Sequence, residues 1–209
     1  MEDTTVLKTK KNKIMKCLLP LLLFLLFNFS NVLFAESGWI IYHEDAFRGK
    51  VIDAATKEPI EDVVVVAIYR IREYSFVESN TIAVAAKEVL TNEAGEFYIP
   101  PHTYVSFYPV AKGEATDFII YKPGYSVFGD IGQIRYFEYF PNSPLRVDAP
   151  TLTEFFREGV TVELMKLKTE EERMRNIPGG PTNIKSKKMP FLFKAINEEG
   201  KRFGFEEVR

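Results

Sequence analysis

Between Arg48 and Tyr125 the chain alternates short apolar runs with turn residues: Gly49-Lys-Val51-Ile-Asp53, Thr56-Lys-Glu-Pro59-Ile60, the β-branched run Val63 to Ile68, Thr91-Asn-Glu-Ala-Gly95-Glu-Phe97, and Lys122-Pro-Gly-Tyr125. Each glycine or proline sits where two apolar runs must be joined, which is the grammar of strands and tight turns. No acid, base, nucleophile or metal ligand recurs at a fixed place beside these turns. The pattern therefore specifies a fold and is silent on chemistry.

Seven strands are expected from it. Arg48 to Asp53 is the first and Val63 to Tyr69 the second, continuing with polar alternation toward Tyr74, before Glu73 to Asn80 interrupts. Ala85 to Leu90 and Glu96 to Ile99 flank Thr91 to Gly95 as a hairpin in which Gly95 takes the left-handed position. Pro100-Pro101 ends that strand, because proline cannot donate to a ladder. Tyr104 to Val110 and Thr116 to Tyr121 follow, joined across Lys112-Gly113, and Gly124 supplies the turn after them. Gly159 to Leu167 recovers alternation, with Val160, Val162 and Leu164 on one face. Residues 129–158 before it are aromatic, interrupted by glycine and proline, and have no clean period.

The tail, residues 168–209, reads as helical. Thr169-Glu-Glu-Glu172 has the form of a capping box. Pro190 to Glu199 is expected to be a second helix, with an apolar stripe of Phe191, Leu192, Ala195 and Ile196 that docks on the domain or on a partner.

The first 35 residues read as an address. Lys8, Lys10, Lys11, Lys13 and Lys16 precede an apolar stretch from Cys17 to Phe27, and Val-Leu-Phe-Ala35 stands before Glu36. That order is expected of a cleaved secretory signal, with Met15 a second possible start; the competing reading is an uncleaved inner-membrane anchor over 17–35. Cleavage removes Cys17, the one cysteine, and leaves 22 basic against 27 acidic side chains. A protein so charged lacks the basic footprint of a nucleic-acid binder, and a thiol-free chain has no disulfide.

The ordered residues Gly49, Val51, Asp53, Thr56, Pro59, Ile60, Val63 and Val65, then Thr91, Gly95, Phe97, Ile99 and Pro100, then Lys122, Gly124 and Tyr125, resemble the carboxypeptidase regulatory-like domain family. The likeness covers residues 46–128 and resumes at 159–167. It implies a mainly β, seven-strand transthyretin-like Greek-key sandwich that does no chemistry, interrupted by an insertion at 129–158, where loops can carry function.

His43 and His102 are the two histidines. His43-Glu44-Asp45 reads as a solvated lead-in segment, since neighbours on an extended chain face opposite ways; an enzyme using His43 or His102 is the alternative. No nucleophile elbow or phosphate loop is present, and neither cofactor nor metal is expected. What remains is aromatic: Tyr125, Phe128, Tyr136, Phe137, Tyr139 and Phe140 fall within 16 residues. Two readings stand. Either these rings cap the open edge of the sandwich, or Tyr136, Tyr139 and Phe140 grip an envelope protein or glycan, with strand alternation placing Phe137 and Phe140 partly on the packed side. A membrane-tethered structural subunit is a further alternative if residues 17–35 stay attached.

Overall fold

The structure, a computed structural model, describes residues 41–74, 79–106, 111–129, 132–181 and 184–208. The expected leader, residues 1–35, lies outside them. Among the described residues no helix is long and apolar enough to cross a membrane.

The protein is mainly β. The described strands are β1 (Ile41–Glu44), β2 (Phe47–Asp53), β3 (Val64–Tyr74), β4 (Ser79–Leu90), β5 (Glu96–Ile99), β6 (His102–Val105), β7 (Ala111–Gly113), β8 (Asp117–Tyr121) and β9 (Val160–Leu164). The helices are α1 (Gly132–Tyr139), α2 (Ala149–Glu158), α3 (Glu170–Arg175) and α4 (Pro190–Arg202). One sheet has the order β5-β2-β9, with β2 antiparallel to β5 and parallel to β9. In a second, β3 pairs with β4 along one side and with β8 and then β7 along the other. β1 and β6 form a separate ribbon.

β3 is the element that joins the layers, because both of its faces are buried from Val64 to Tyr69. Val65, Ala67, Tyr69 and Ile71 share a core with Phe47, Val51, Phe97, Ile99 and Val162 of the first sheet, together with Phe156 of α2. Val64, Val66 and Ile68 face the other way, against Leu192, Phe193, Ala195 and Ile196 of α4. A continuous β-branched run suits a strand covered on two sides.

Three expectations change. Thr91 to Gly95 is a turn but not a hairpin: β4 pairs with β3, β5 pairs with β2, and the turn carries the chain from one sheet to the other. β1 and β7 add two strands to the seven expected, and His43-Glu44-Asp45 begins in the first of these, with His43 and Asp45 exposed as expected. Residues 129–158, read without a period, contain α1 and α2. Asp148 caps α2 by accepting from the Thr151 N–H at 3.0 Å, and Pro150 stands in its first turn.

Helix α4 docks on the domain itself. Its buried stripe is Leu192, Ala195, Ile196 and Glu199, at helical spacing, with Phe193 beside it. Phe191 falls off that stripe and is 44% exposed, contrary to expectation. Met189 offers no side-chain cap and Pro190 has no N–H; the Glu88 carboxylate of β4 instead accepts from the N–H groups of Phe191 (2.7 Å) and Leu192 (3.0 Å). Burial raises the pKa of Glu88, and these two bonds oppose the rise. A second link is the forked pair of Arg173 with Glu199, at 2.7 and 2.8 Å, in which the Glu199 side chain is almost wholly buried. The capping box at Thr169 and Glu172 is present.

Gly95 has φ +72°, and a Cβ there would lie 2.5 Å from the Val51 carbonyl oxygen, which accepts from the Ile60 N–H. Gly95→Val is expected to cost more than the roughly 1–2 kcal/mol of forced left-handed backbone. The melting temperature should fall by several degrees, at about 2–4 °C per kcal/mol for a chain of this size. An unchanged thermal melt would contradict the placement of this turn.

Candidate functional site

The larger of two clefts among the described residues lies where α1 and the turn after it meet β9. Tyr136 and Phe140, four residues apart, share one side of α1 and its continuation. Their rings stack at 4.7 Å, and Tyr136 also meets Phe128 edge-on at 4.8 Å. The Tyr136 hydroxyl accepts the backbone N–H of Glu163 and is bonded to the Ser143 side chain. Burial, with the charge of Glu163 adding to it, pushes this phenol up to about 12. Farther along, Ser126 Oγ accepts from Met165 N at 2.9 Å and Ser126 N donates to Met165 O at 2.8 Å. The outer edge of β9 is thus engaged at Glu163 and, just past the strand's end, at Met165, which blunts it as an edge strand requires.

The turn from Phe140 to Arg146 is braced from within. Ser143 N donates to Phe140 O (3.1 Å), while Ser143 Oγ and O accept from Leu145 N (3.2 Å) and Arg146 N (3.1 Å). Between this turn and β9 opens a cleft of about 500 Å³. Tyr136, Phe140 and Leu145 give it an apolar floor, flanked by Pro141 and Pro144. Asn142, Ser143, Thr161 and Glu163 bring polar groups to it. Glu163 is held by Lys57 Nζ, 2.8 Å from each carboxylate oxygen.

The sequence-predicted residues separate here. Tyr136 is 1% exposed, while Phe137 and Phe140 are half-buried. This reverses the strand-like alternation expected for them, because the segment is a helix and turns about 100° per residue. Tyr136 is therefore a packed edge-cap whose ring lines the cleft, and not an exposed gripping residue. Tyr139 lies outside the cleft; its hydroxyl accepts from Asn176 Nδ2 at 3.3 Å, at the end of α3. Phe140 lines the cleft as expected. Asn142, Ser143, Thr161 and Glu163 were missed, although Thr161 and Glu163 are the outward positions of β9 and could be read from its alternation.

Gly124 stands away from the cleft, at φ +85° in a turn closed by Tyr125 N to Lys122 O at 3.0 Å. The Tyr125 hydroxyl bonds to Asp53, whose carboxylate also accepts from Ala55 N (2.8 Å) and Thr56 N (3.0 Å). The bond from Thr56 leads in holding the Asp53 pKa low.

A second cleft, about 330 Å³, lies between β1, the segment after β7, and α2. His43 lines it, with Nδ1 3.0 Å from Thr103 Oγ1. Glu44 meets Arg157 at 3.0 Å, and burial nevertheless raises the Glu44 pKa. In the β1–β6 register His43 stands opposite Thr103 and Glu44 opposite His102, so the two histidines lie on opposite faces of the ribbon. His102 packs on the Tyr69 ring at 5.2 Å, and desolvation lowers its pKa. The geometry does not bring the two histidines together.

No family model, curated protein or solved structure matches this chain.

Tyr136→Ala is expected to destabilise the protein by about 3–5 kcal/mol, as large aromatic truncations in a core do. Tyr139→Phe, which removes one hydrogen bond, should cost about 0.5–1.5 kcal/mol. Denaturant titration of both variants checks this, and equal midpoints for Tyr136→Ala and the wild type would contradict the edge-cap assignment.

Proposed function

We propose that this protein is an exported, non-catalytic binding or assembly module of a bacterial cell envelope, periplasmic or secreted, built on a carboxypeptidase regulatory-like sandwich. Its partner, an envelope protein or glycan, seats in the cleft between the Phe140–Leu145 turn and β9. The observation that carries the reading is the cleft itself: about 500 Å³ with an aromatic floor and a few polar groups on one side, which is the composition of ligand sites. It is formed by the Tyr136–Leu145 segment together with Thr161 and Glu163, the outward residues of β9.

Binding is favoured over chemistry by the engagement of the cleft's polar groups. The Tyr136 hydroxyl is committed to Glu163 N–H and Ser143, and the Glu163 carboxylate to Lys57. The leader-like order of residues 1–35 supports export.

The test is an amide-shift titration of the isotope-labelled protein with solubilised envelope fractions, separately glycan and membrane protein. Shifts are expected to concentrate on residues 136–145 and 161–163, and to vanish for Asn142→Trp, where an exposed residue is enlarged across the cleft. Shifts mapping to the β1–α2 cleft, or surviving Asn142→Trp unchanged, would overturn the assignment.

A further inference from the structure

We infer that the occupant of the Tyr136–Leu145 cleft is an uncharged saccharide, one or two rings of which lie on Phe140 with their hydroxyls turned to Asn142, Ser143, Thr161 and Glu163. This rests on the binding reading above and narrows its ligand.

Three observations exclude the other classes. The first is charge. Among the described residues lining the cleft Glu163 is the one charged group, and no cation lines it. An anionic ligand, whether phosphate, nucleotide or acidic sugar, would be desolvated beside a carboxylate whose one cation, Lys57, is already engaged outside the cleft lining. A cation would have to displace Lys57, which already meets both Glu163 oxygens at 2.8 Å. A neutral ligand rich in hydroxyl donors can use the Glu163 lone pairs without breaking that pair.

The second is the state of the β9 edge. An extended peptide gains its affinity from main-chain bonds to a free strand edge. Here the Glu163 N–H is taken by the Tyr136 hydroxyl, and Met165 N and O are taken by Ser126. Strand addition at this cleft would first have to remove a packed tyrosine, so a peptide strand does not fit.

The third is the surface offered. Phe140 is half-buried, with one face stacked on Tyr136, and Pro141 and Pro144 extend the apolar patch beside it. A sugar ring has an apolar face and a polar perimeter, and this cleft has an apolar floor with amide, hydroxyl and carboxylate groups on its sides. Its volume, about 500 Å³, is that of a small-ligand site.

The experiment titrates the labelled protein with a panel of uncharged hexose and N-acetylhexosamine tetrasaccharides, a hexuronic acid tetrasaccharide and a proline-rich peptide. Uncharged tetrasaccharides are expected to shift the amides of Phe140, Asn142 and Thr161. Phe140→Ala should weaken them about tenfold, the loss typical of one well-buried contact residue. Glu163→Gln should strengthen binding of the acidic tetrasaccharide relative to the best uncharged one. An acidic tetrasaccharide that binds the wild type as tightly as any uncharged one would overturn the charge argument. Peptide binding at the cleft with no sugar response would overturn the saccharide and leave the binding reading standing. Silence of the cleft toward every uncharged sugar, with envelope fractions still shifting it, would sink the inference alone; silence toward both would sink the two together.

Discussion

From Val64 to Tyr69 β3 has no solvent side, and the remaining elements are arranged to keep it so. Val65, Ala67, Tyr69 and Ile71 require the β5-β2-β9 sheet and α2 on one face, and Val64, Val66 and Ile68 require α4 on the other. Each fully buried aliphatic side chain contributes about 1.5–3 kcal/mol relative to exposure, so leaving either face uncovered would offset a large part of a typical domain's stability. Helix α4 is thus part of the domain rather than an appendage. Its two polar links, Glu88 on its first N–H groups and Arg173 on Glu199, fix its register along the sheet. Removing one partner of the buried Arg173–Glu199 pair would leave an uncompensated charge and be costly, although the desolvation of both groups limits what the intact pair adds to stability.

The cleft follows from a second requirement, closure of β9. That strand pairs with β2 on one side, and α1 with the turn after it lies along its other edge. α1 places Tyr136 so that its hydroxyl meets Glu163 N–H, and the chain must then return to the start of α2. The Phe140–Arg146 turn makes that return and stands off from β9, leaving the concavity between them. The edge-capping and binding accounts of the aromatic run are therefore complementary: Tyr136 closes the edge and floors the cleft, while Phe140 remains partly open to it.

Much of the scaffold was legible in the sequence because its signals are local. Gly95 and Gly124 mark turns through their backbone requirement, β9 shows its alternation, and Thr169 with Glu172 announces α3. What was not legible depends on partners distant in sequence. The Thr91–Gly95 turn resembles a hairpin turn locally, and only the pairing of β4 with β3 and of β5 with β2 shows that it crosses between sheets. α1 was hidden because a run as aromatic as Tyr136 to Phe140 reads equally as strand or helix. α2 could have been found: Asp148 followed by Pro150, with Leu152, Phe155 and Phe156 at helical spacing, is a sufficient signal. Of the site, Phe140 was legible and the buried role of Tyr136 was not, since it is set by the edge of β9 and not by any neighbour in the chain.

Native-state hydrogen exchange on β3 and α4 tests most directly whether the two-faced burial of β3 organises the protein. The account predicts that the amides of Val64 to Ile71 exchange through global unfolding, and that those of Ala195 and Ile196 in α4 open with nearly the same free energy, since the helix is one wall of the same strand's environment. Exchange of α4 through a separate, much lower-energy opening that leaves β3 fully protected would contradict it.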